Sequence, residues 1–232
     1  LRQAVMMAVD GQTIADVTTS GAYTYGYALV PSSLDFGYDQ LTNPYPYDPE
    51  AAKALLDGAG ILDSDGDGYR ELDGEKVNID YKVSANRSMD IIAQAQAAQL
   101  EAIGIQCTVE VTKTHAEILN NHLFDMANSN EVTTQTGDPS KFLKHWYSAS
   151  DDNYSNYKNP AFDALYEAME GEFDESARKE AMTKMQQILL DDAQSLVYGY
   201  FNYNICTVED LTGVNPNPND FYWVVKDIHF TD

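Results

Sequence analysis

The run Val77-Asn78-Ile79-Asp80-Tyr81-Lys82-Val83 alternates apolar and polar residues strictly, the period of two that predicts a half-buried strand. Met89, Ile92, Ala93, Ala97, Leu100 and Ile103 then recur at helical spacing, Gly104 ends that helix, and Ile105 to Val111 alternates again. Strand, helix and strand in succession predict parallel pairing through a right-handed crossover, and so an α/β layer structure.

Working outward, Ala4, Val5, Ala8, Val9, Ile14 and Val17 predict one helix over 1–19, broken at Gly21. Residues 22–47 are rich in Tyr, Gly, Pro and Ser and predict a long irregular segment, which in a compact domain is usually functional or packed on a neighbour. Asp48-Pro49-Glu50 reads as an N-cap followed by Pro at the first helical position. Beyond the sheet, His115 to His122 predicts a short helix and Leu123 to Ala127 a short buried strand. Pro160 to Glu170 predicts a helix, and Asp174 caps a longer one ending near Leu190. Leu196 to Val208 and Phe221 to Phe230 predict strands, separated by a turn at residues 215–219. Without repeats or a low-complexity linker, residues 1–232 read as a single domain.

Composition narrows the function classes. The 232 residues carry 37 acidic and 14 basic side chains, a net charge of −23. Such a field repels phosphate backbones and anionic headgroups, so nucleic acid and membrane surfaces are disfavoured as partners. No stretch approaches the ~20 apolar residues of a membrane-spanning helix. The chain opens at Leu1 directly on a helical pattern, and the expectation is a fragment with its export signal upstream. Cys107 and Cys206 fit no metal motif; both sit among β-branched residues and read as buried strand positions, with a bridge between them left open.

Three sets of residues carry candidate chemistry. Asp63, Asp65 and Asp67 with Gly68 match the first half of a calcium loop, whose carboxylates can converge on a hard cation. The twelfth position is Gly74 where a bidentate Glu is required, and the same Asp-Gly spacing also serves a tight turn. Tyr25 and Tyr27, with Tyr23, Tyr38, Tyr45 and Tyr47, offer flat apolar faces with polar tips that suit either a ligand cleft or packing of the loop on its own domain. Asn128, Asn130, Thr133 and Gln135 suit amide or hydroxyl groups of a ligand. No nucleophile elbow, catalytic triad, phosphate loop or H-E-x-x-H motif occurs, which argues for a binding module and against an enzyme.

Several short segments follow one another in a telling order. These are Leu1-Arg2-Gln3-Ala4-Val5, Val30-Pro31, Tyr45-Pro46-Tyr47-Asp48-Pro49-Glu50, Asp63-Ser64-Asp65-Gly66-Asp67-Gly68, Phe124-Asp125-Met126, Gly137-Asp138-Pro139, and Asn153 through Pro160 to Asp163. In this order and spacing the chain resembles the C-terminal lobe of a family 5 extracellular solute-binding protein, the peptide- and nickel-receptor group of ABC importers. The resemblance implies a periplasmic-binding-protein-like fold (type II, cluster C), a mixed sheet flanked by helices. It implies a two-lobed clamp that closes on a ligand and delivers it to a membrane permease. It further implies an extracellular location, cell-envelope anchored as a lipoprotein or periplasmic, and residues from about 207 to 232 returning to the missing N-terminal lobe.

In peptide receptors of this kind a Gly-Trp pair follows the Phe-Asp-Met strand. An Asp before the Asp-Pro pair then receives the ligand's ammonium. Here the segment Asn128 to Pro139 is one residue longer, lacks the Gly-Trp pair, and places Thr134 or Gln135 at the Asp position. Either Glu131 supplies the negative charge from a shifted position, or the ligand is neutral, such as an oligosaccharide. Peptide is the first expectation and oligosaccharide the second. A calcium-dependent extracellular interaction domain around Asp63–Asp67 is the alternative from another class, and no cofactor other than that calcium is expected.

Overall fold

The computed structural model describes residues 1–135, 137–214 and 226–231. The predicted strand–helix–strand unit forms as read. Its elements are preceded by α1 (Arg2–Ala8), α2 (Gly11–Thr13), β1 (Tyr23–Thr24), α3 (Pro49–Gly58) and a small antiparallel ladder of β2 (Glu71–Leu72) and β3 (Glu75–Lys76). Then come β4 (Asn78–Val83), α4 (Met89–Glu101) and β5 (Gln106–Val111). β4 and β5 are parallel, with Asn78 opposite Gln106 and Val83 opposite Val111. After α5 (His115–Asn120), β6 (Met126–Ala127) adds in parallel to the other edge of β4, giving the order β5-β4-β6. The remaining elements are α6 (Ser140–Leu143), α7 (Pro160–Glu170), α8 (Glu175–Asp191), β7 (Tyr200–Phe201), β8 (Leu211–Thr212) and β9 (His229–Phe230). The expected mixed sheet is thus a purely parallel three-stranded sheet with separate antiparallel ladders around it.

Alternation fixes which side of β4 is buried: Ile79, Tyr81 and Val83 point inward. They join Ile92, Leu100 and Ile103 on one side, and Ala4, Ala8, Ala52 and Leu56 of α1 and α3, in one apolar cluster. A second cluster gathers Phe162, Tyr166 and Met169 of α7, Met182, Met185 and Leu189 of α8, and Phe142, Leu143 and Trp146. Burying one such side chain stabilises by about 1.5–3 kcal/mol, so these two clusters dominate the favourable side of folding. Asp48, Asn159 and Asp174 each accept N–H groups of the helix they start, as their sequence positions require.

Four expectations are corrected. The helix over 1–19 breaks at Asp10, whose carboxylate accepts the Thr13 N–H at 3.0 Å and caps a new turn, while its own N–H reaches Gln99. Leu196 to Val208 is not a continuous strand. β1 offers only Tyr23 and Thr24 as ladder partners, so pairing is confined to Tyr200 and Phe201. Cys206 lies beyond that pairing and is exposed; only Cys107 is buried, and both thiols are free. The strand predicted over 123–127 shortens to Met126–Ala127, with Leu123 left 59% exposed.

The turn expected at residues 215–219 lies outside the described residues, as does the first half of the strand expected over 221–230. The remainder of that strand, His229–Phe230, pairs antiparallel with Leu211–Thr212. The long irregular segment 22–47 is irregular as expected, and α8 fastens it. Gln186 accepts the Val30 N–H at 3.1 Å and donates to the Phe36 carbonyl at 3.0 Å, and Gln187 makes the same pair of bonds to the backbone of Thr42.

Candidate functional site

The chain leaves β4 toward β5 on one side and returns as β6 on the other, so the carboxyl ends of β4 and β6 flank a switch in strand order. In open α/β sheets ligands bind at that place. Three groups of the segment Asn128–Glu131 are fixed there. Asn128 is buried; its Oδ1 accepts the Ser84 N–H at 3.0 Å and its own N–H donates to the Lys82 carbonyl. His115 Nε2 meets the Asn128 carbonyl at 2.8 Å. Asn130 is exposed, and its amide oxygen accepts from the Arg87 guanidinium. Glu131 Oε1 accepts from the Ser129 hydroxyl at 2.7 Å, and its Oε2 lies 4.0 Å from His145 Nε2. The Glu131 side chain remains 41% exposed.

Arg87 joins this edge to the aromatic ladder. It and Ser88 both adopt left-handed backbone, at φ 52° and 62°, a strained pair for residues with a Cβ. The guanidinium lies 4.8 Å from the centre of the Phe201 ring and 5.8 Å from that of Tyr203, and the Arg87 carbonyl accepts from the Tyr23 hydroxyl at 3.0 Å. Burial pushes the Tyr23 phenol up, against the lowering effects of Tyr198, Arg87 and Asn130.

The other candidate residues fall into two different places. Thr134 is buried, and Thr133 and Gln135 are half-buried beside it, so the position where the resemblance implies an ammonium acceptor is turned inward. Tyr25 and Tyr27 line a separate cleft with Val9, Tyr45, Tyr47 and Leu190, and no residue of 128–135 lines it. The Tyr27 hydroxyl donates to the Leu41 carbonyl and its ring packs against Tyr38, so burial pushes this phenol up as well. Tyr25 and Tyr27 are therefore not brought together with Asn128–Gln135.

Asp63, Asp65 and Asp67 do converge, and Glu71 joins them: carboxylate oxygens of all four lie within 4.8 Å of one another. A hard cation such as calcium suits that donor set. The same carboxylates also close the loop. Asp63 accepts the N–H groups of Gly66 and Gly68, Asp65 that of Asp67, and Asp67 that of Tyr69. Lys76 pairs with Asp67, and that bond, with the Tyr69 N–H, holds the Asp67 carboxyl below its usual range. Glu71, at the ninth place of the loop, is a carboxylate that the motif match over Asp63–Gly68 does not include. Arg87 and His145 were missed too. The only available signal for Arg87 was its place directly after a strand's carboxyl end.

A parallel α/β sheet whose carboxyl-end loops carry anchored polar side chains has the arrangement on which ligands bind in open α/β folds. The sequence profile of the bacterial extracellular solute-binding proteins, family 5, middle region, matches residues 1–154, and the chain belongs to that family. The family is one of solute-binding proteins, not enzymes. The periplasmic alpha-galactoside-binding protein of Rhizobium meliloti is 35% identical over 115 residues, covering 45% of this chain and 16% of the relative. The dipeptide-binding protein of Escherichia coli is 28% identical over 212 residues, 86% of this chain and 37% of the relative. Among solved structures, the oligopeptide-binding protein AppA of Bacillus subtilis, in complex with a nonapeptide, superposes with a TM-score of 0.79 at 24% identity, over 97% of this chain and 47% of that one. The chain thus spans less than half the length of each of these proteins. No helix among the described residues is long and apolar enough to cross a membrane.

Proposed function

We propose that the chain is one lobe of the substrate-binding component of an ABC importer, working outside the cytoplasmic membrane, and that its ligand is a peptide or similar small polar oligomer. The ligand lies against the carboxyl ends of β4 and β6 in a cleft completed by a second lobe, and hinge closure commits it to delivery to a membrane permease. The carrying observation is the anchoring of Asn128 to Ser84 and of Asn130 to Arg87, which presents the Glu131 carboxylate at that edge while leaving it 41% exposed. An exposed carboxylate on a fixed backbone is what a cationic ligand end requires, because a charge leaving water needs an opposite partner. The names of the dipeptide- and oligopeptide-binding relatives agree with this reading.

An oligosaccharide is the second reading. One observation favours it: the Tyr203 ring, 47% exposed, stands beside the Arg87 guanidinium, which itself donates to Asn130, an aromatic face next to a planar hydrogen-bonding group. The experiment is calorimetric titration of the full-length receptor with trialanine and with raffinose. Trialanine binding that weakens in Glu131→Gln supports the first reading. Raffinose binding without a trialanine response replaces it with the second.

A further inference from the structure

The two oxygens of Glu131 have different surroundings. Oε1 is held by Ser129, whereas Oε2 faces His145 Nε2 at 4.0 Å, longer than a hydrogen bond. The other ring nitrogen, Nδ1, lies 3.1 Å from the carbonyl oxygen of Asp152. A carbonyl only accepts, so Nδ1 carries the proton and the neutral ring is the Nδ1–H tautomer. Neutral His145 therefore turns a lone pair toward the Glu131 carboxylate, and the two do not bond. Protonation converts Nε2 into a second donor, and closing by about 1 Å then forms a charge-assisted bond.

The surroundings of the ring are few. The Tyr154 ring lies 5.9 Å away, and the rings of Phe142 and Trp146 each 6.3 Å. Among the described residues the titratable groups around it include Glu131, Tyr154 and Asp152, whose carbonyl it meets. Burial, and then the charges of Asp152 and Glu131, push the Tyr154 phenol up, so Tyr154 stays neutral at any pH at which histidine titrates. The backbone on the far side of Tyr154 is held by His122 Nδ1, 2.7 Å from the Tyr154 carbonyl.

We propose that His145 is a specificity-determining residue that competes, when protonated, with a cationic ligand for Glu131. This rests on the reading that Glu131 receives the ligand's ammonium. With His145 neutral the carboxylate is open to the ligand; with His145 protonated the imidazolium occupies it, and the site favours ligands without a free amine.

The test titrates the full-length receptor with trialanine and with N-acetyltrialanine at pH 7.0 and 5.5, values that bracket histidine titration and keep peptide amine and carboxylates largely charged. The expected result for trialanine is a weakening of about fivefold or more at pH 5.5, with N-acetyltrialanine indifferent to the change. His145→Phe, which retains the ring among Phe142, Trp146 and Tyr154, abolishes the pH dependence. His145→Asn, if Phe packs poorly by its melting temperature, gives the same flat profile. A wild-type profile flat in pH, or a pH dependence that survives in both variants, overturns the proposal while leaving the peptide reading intact. Failure of trialanine to bind at either pH overturns both.

Discussion

Asn128 Oδ1 accepts the Ser84 N–H at 3.0 Å, so a side-chain amide continues the β4–β6 ladder one step beyond its last backbone pair. The two-residue strand β6 is too short to hold the segment 128–131 by itself, and this bond supplies the missing fixation. Asn128→Ala leaves the half-buried Ser84 N–H without its acceptor, at a cost of about 1 kcal/mol. The expected outcome is a lower melting temperature by several degrees together with weaker ligand binding. Unchanged binding would detach Asn128 from the site.

Asp138 and Arg178 give the Gly137-Asp138-Pro139 motif a structural role. Arg178 Nε and Nη2 both reach Asp138 Oδ2, and its Nη1 donates to the carbonyls of Met169 and Glu172, which ties the start of α6 to the turn between α7 and α8. Burial raises the Asp138 carboxyl, but the Ser140 and Arg178 bonds outweigh it and hold the group below its usual range. A depressed carboxyl stabilises above the unfolded value near 3.9, and that contribution is lost as pH falls through the folded value. Thermal melts between pH 5 and pH 3 should therefore fall more steeply for the wild type than for Asp138→Asn.

The same arginine separates charge from geometry. Arg178→Lys keeps the charge but cannot span four bonds with a single ammonium. It should lower stability by about 1–3 kcal/mol, close to the loss in Arg178→Met, as read from urea midpoints. Full rescue by lysine would mean that the charge alone matters.

Asp192 caps α8 at its carboxyl end, where a negative charge is disfavoured by the helix dipole. Two donors offset this: the Tyr157 hydroxyl, and Asn159 Nδ2 at 2.9 Å, both on Oδ2. Burial and the Asp192 carboxylate together push the Tyr157 phenol up. Tyr157→Phe should cost about 1.5–3 kcal/mol, and a smaller amount in an Asp192→Asn background, where the charge is already gone. Equal losses in both backgrounds would show that the hydroxyl acts elsewhere.

These cases show which features local sequence could reveal. The β4–α4–β5 unit was legible because Ile79, Tyr81 and Val83 obey a period of two and Ile92, Leu100 and Ile103 a helical one, patterns set within a dozen residues. Helix starts at Asp48, Asn159 and Asp174 were legible for the same reason. Strand length over 196–208 was not, because a strand extends only as far as its partner, and β1 supplies two residues separated from them by more than 170 positions. The site was legible only in part. Asn128, Asn130 and Glu131 were marked by their residue types, but Arg87 and His145 reach them from 43 and 14 residues away, and no local pattern encodes that meeting.

The two cysteines make the same contrast measurable. Cys107 stands on β5 with 8% exposure, and burial pushes its thiol up to about 11, so at pH 8 it is neither ionised nor accessible. Cys206, which its β-branched neighbours had suggested to be buried too, is exposed and unbridged. A thiol reagent added to the native protein at pH 8 should therefore modify one cysteine per chain quickly, and the second only in denaturant. Mapping should assign the fast site to Cys206. Two fast sites would mean that the α4–β5 layer opens far more readily than its apolar packing implies. No fast site would mean that Cys206 is covered or oxidised in the full-length receptor.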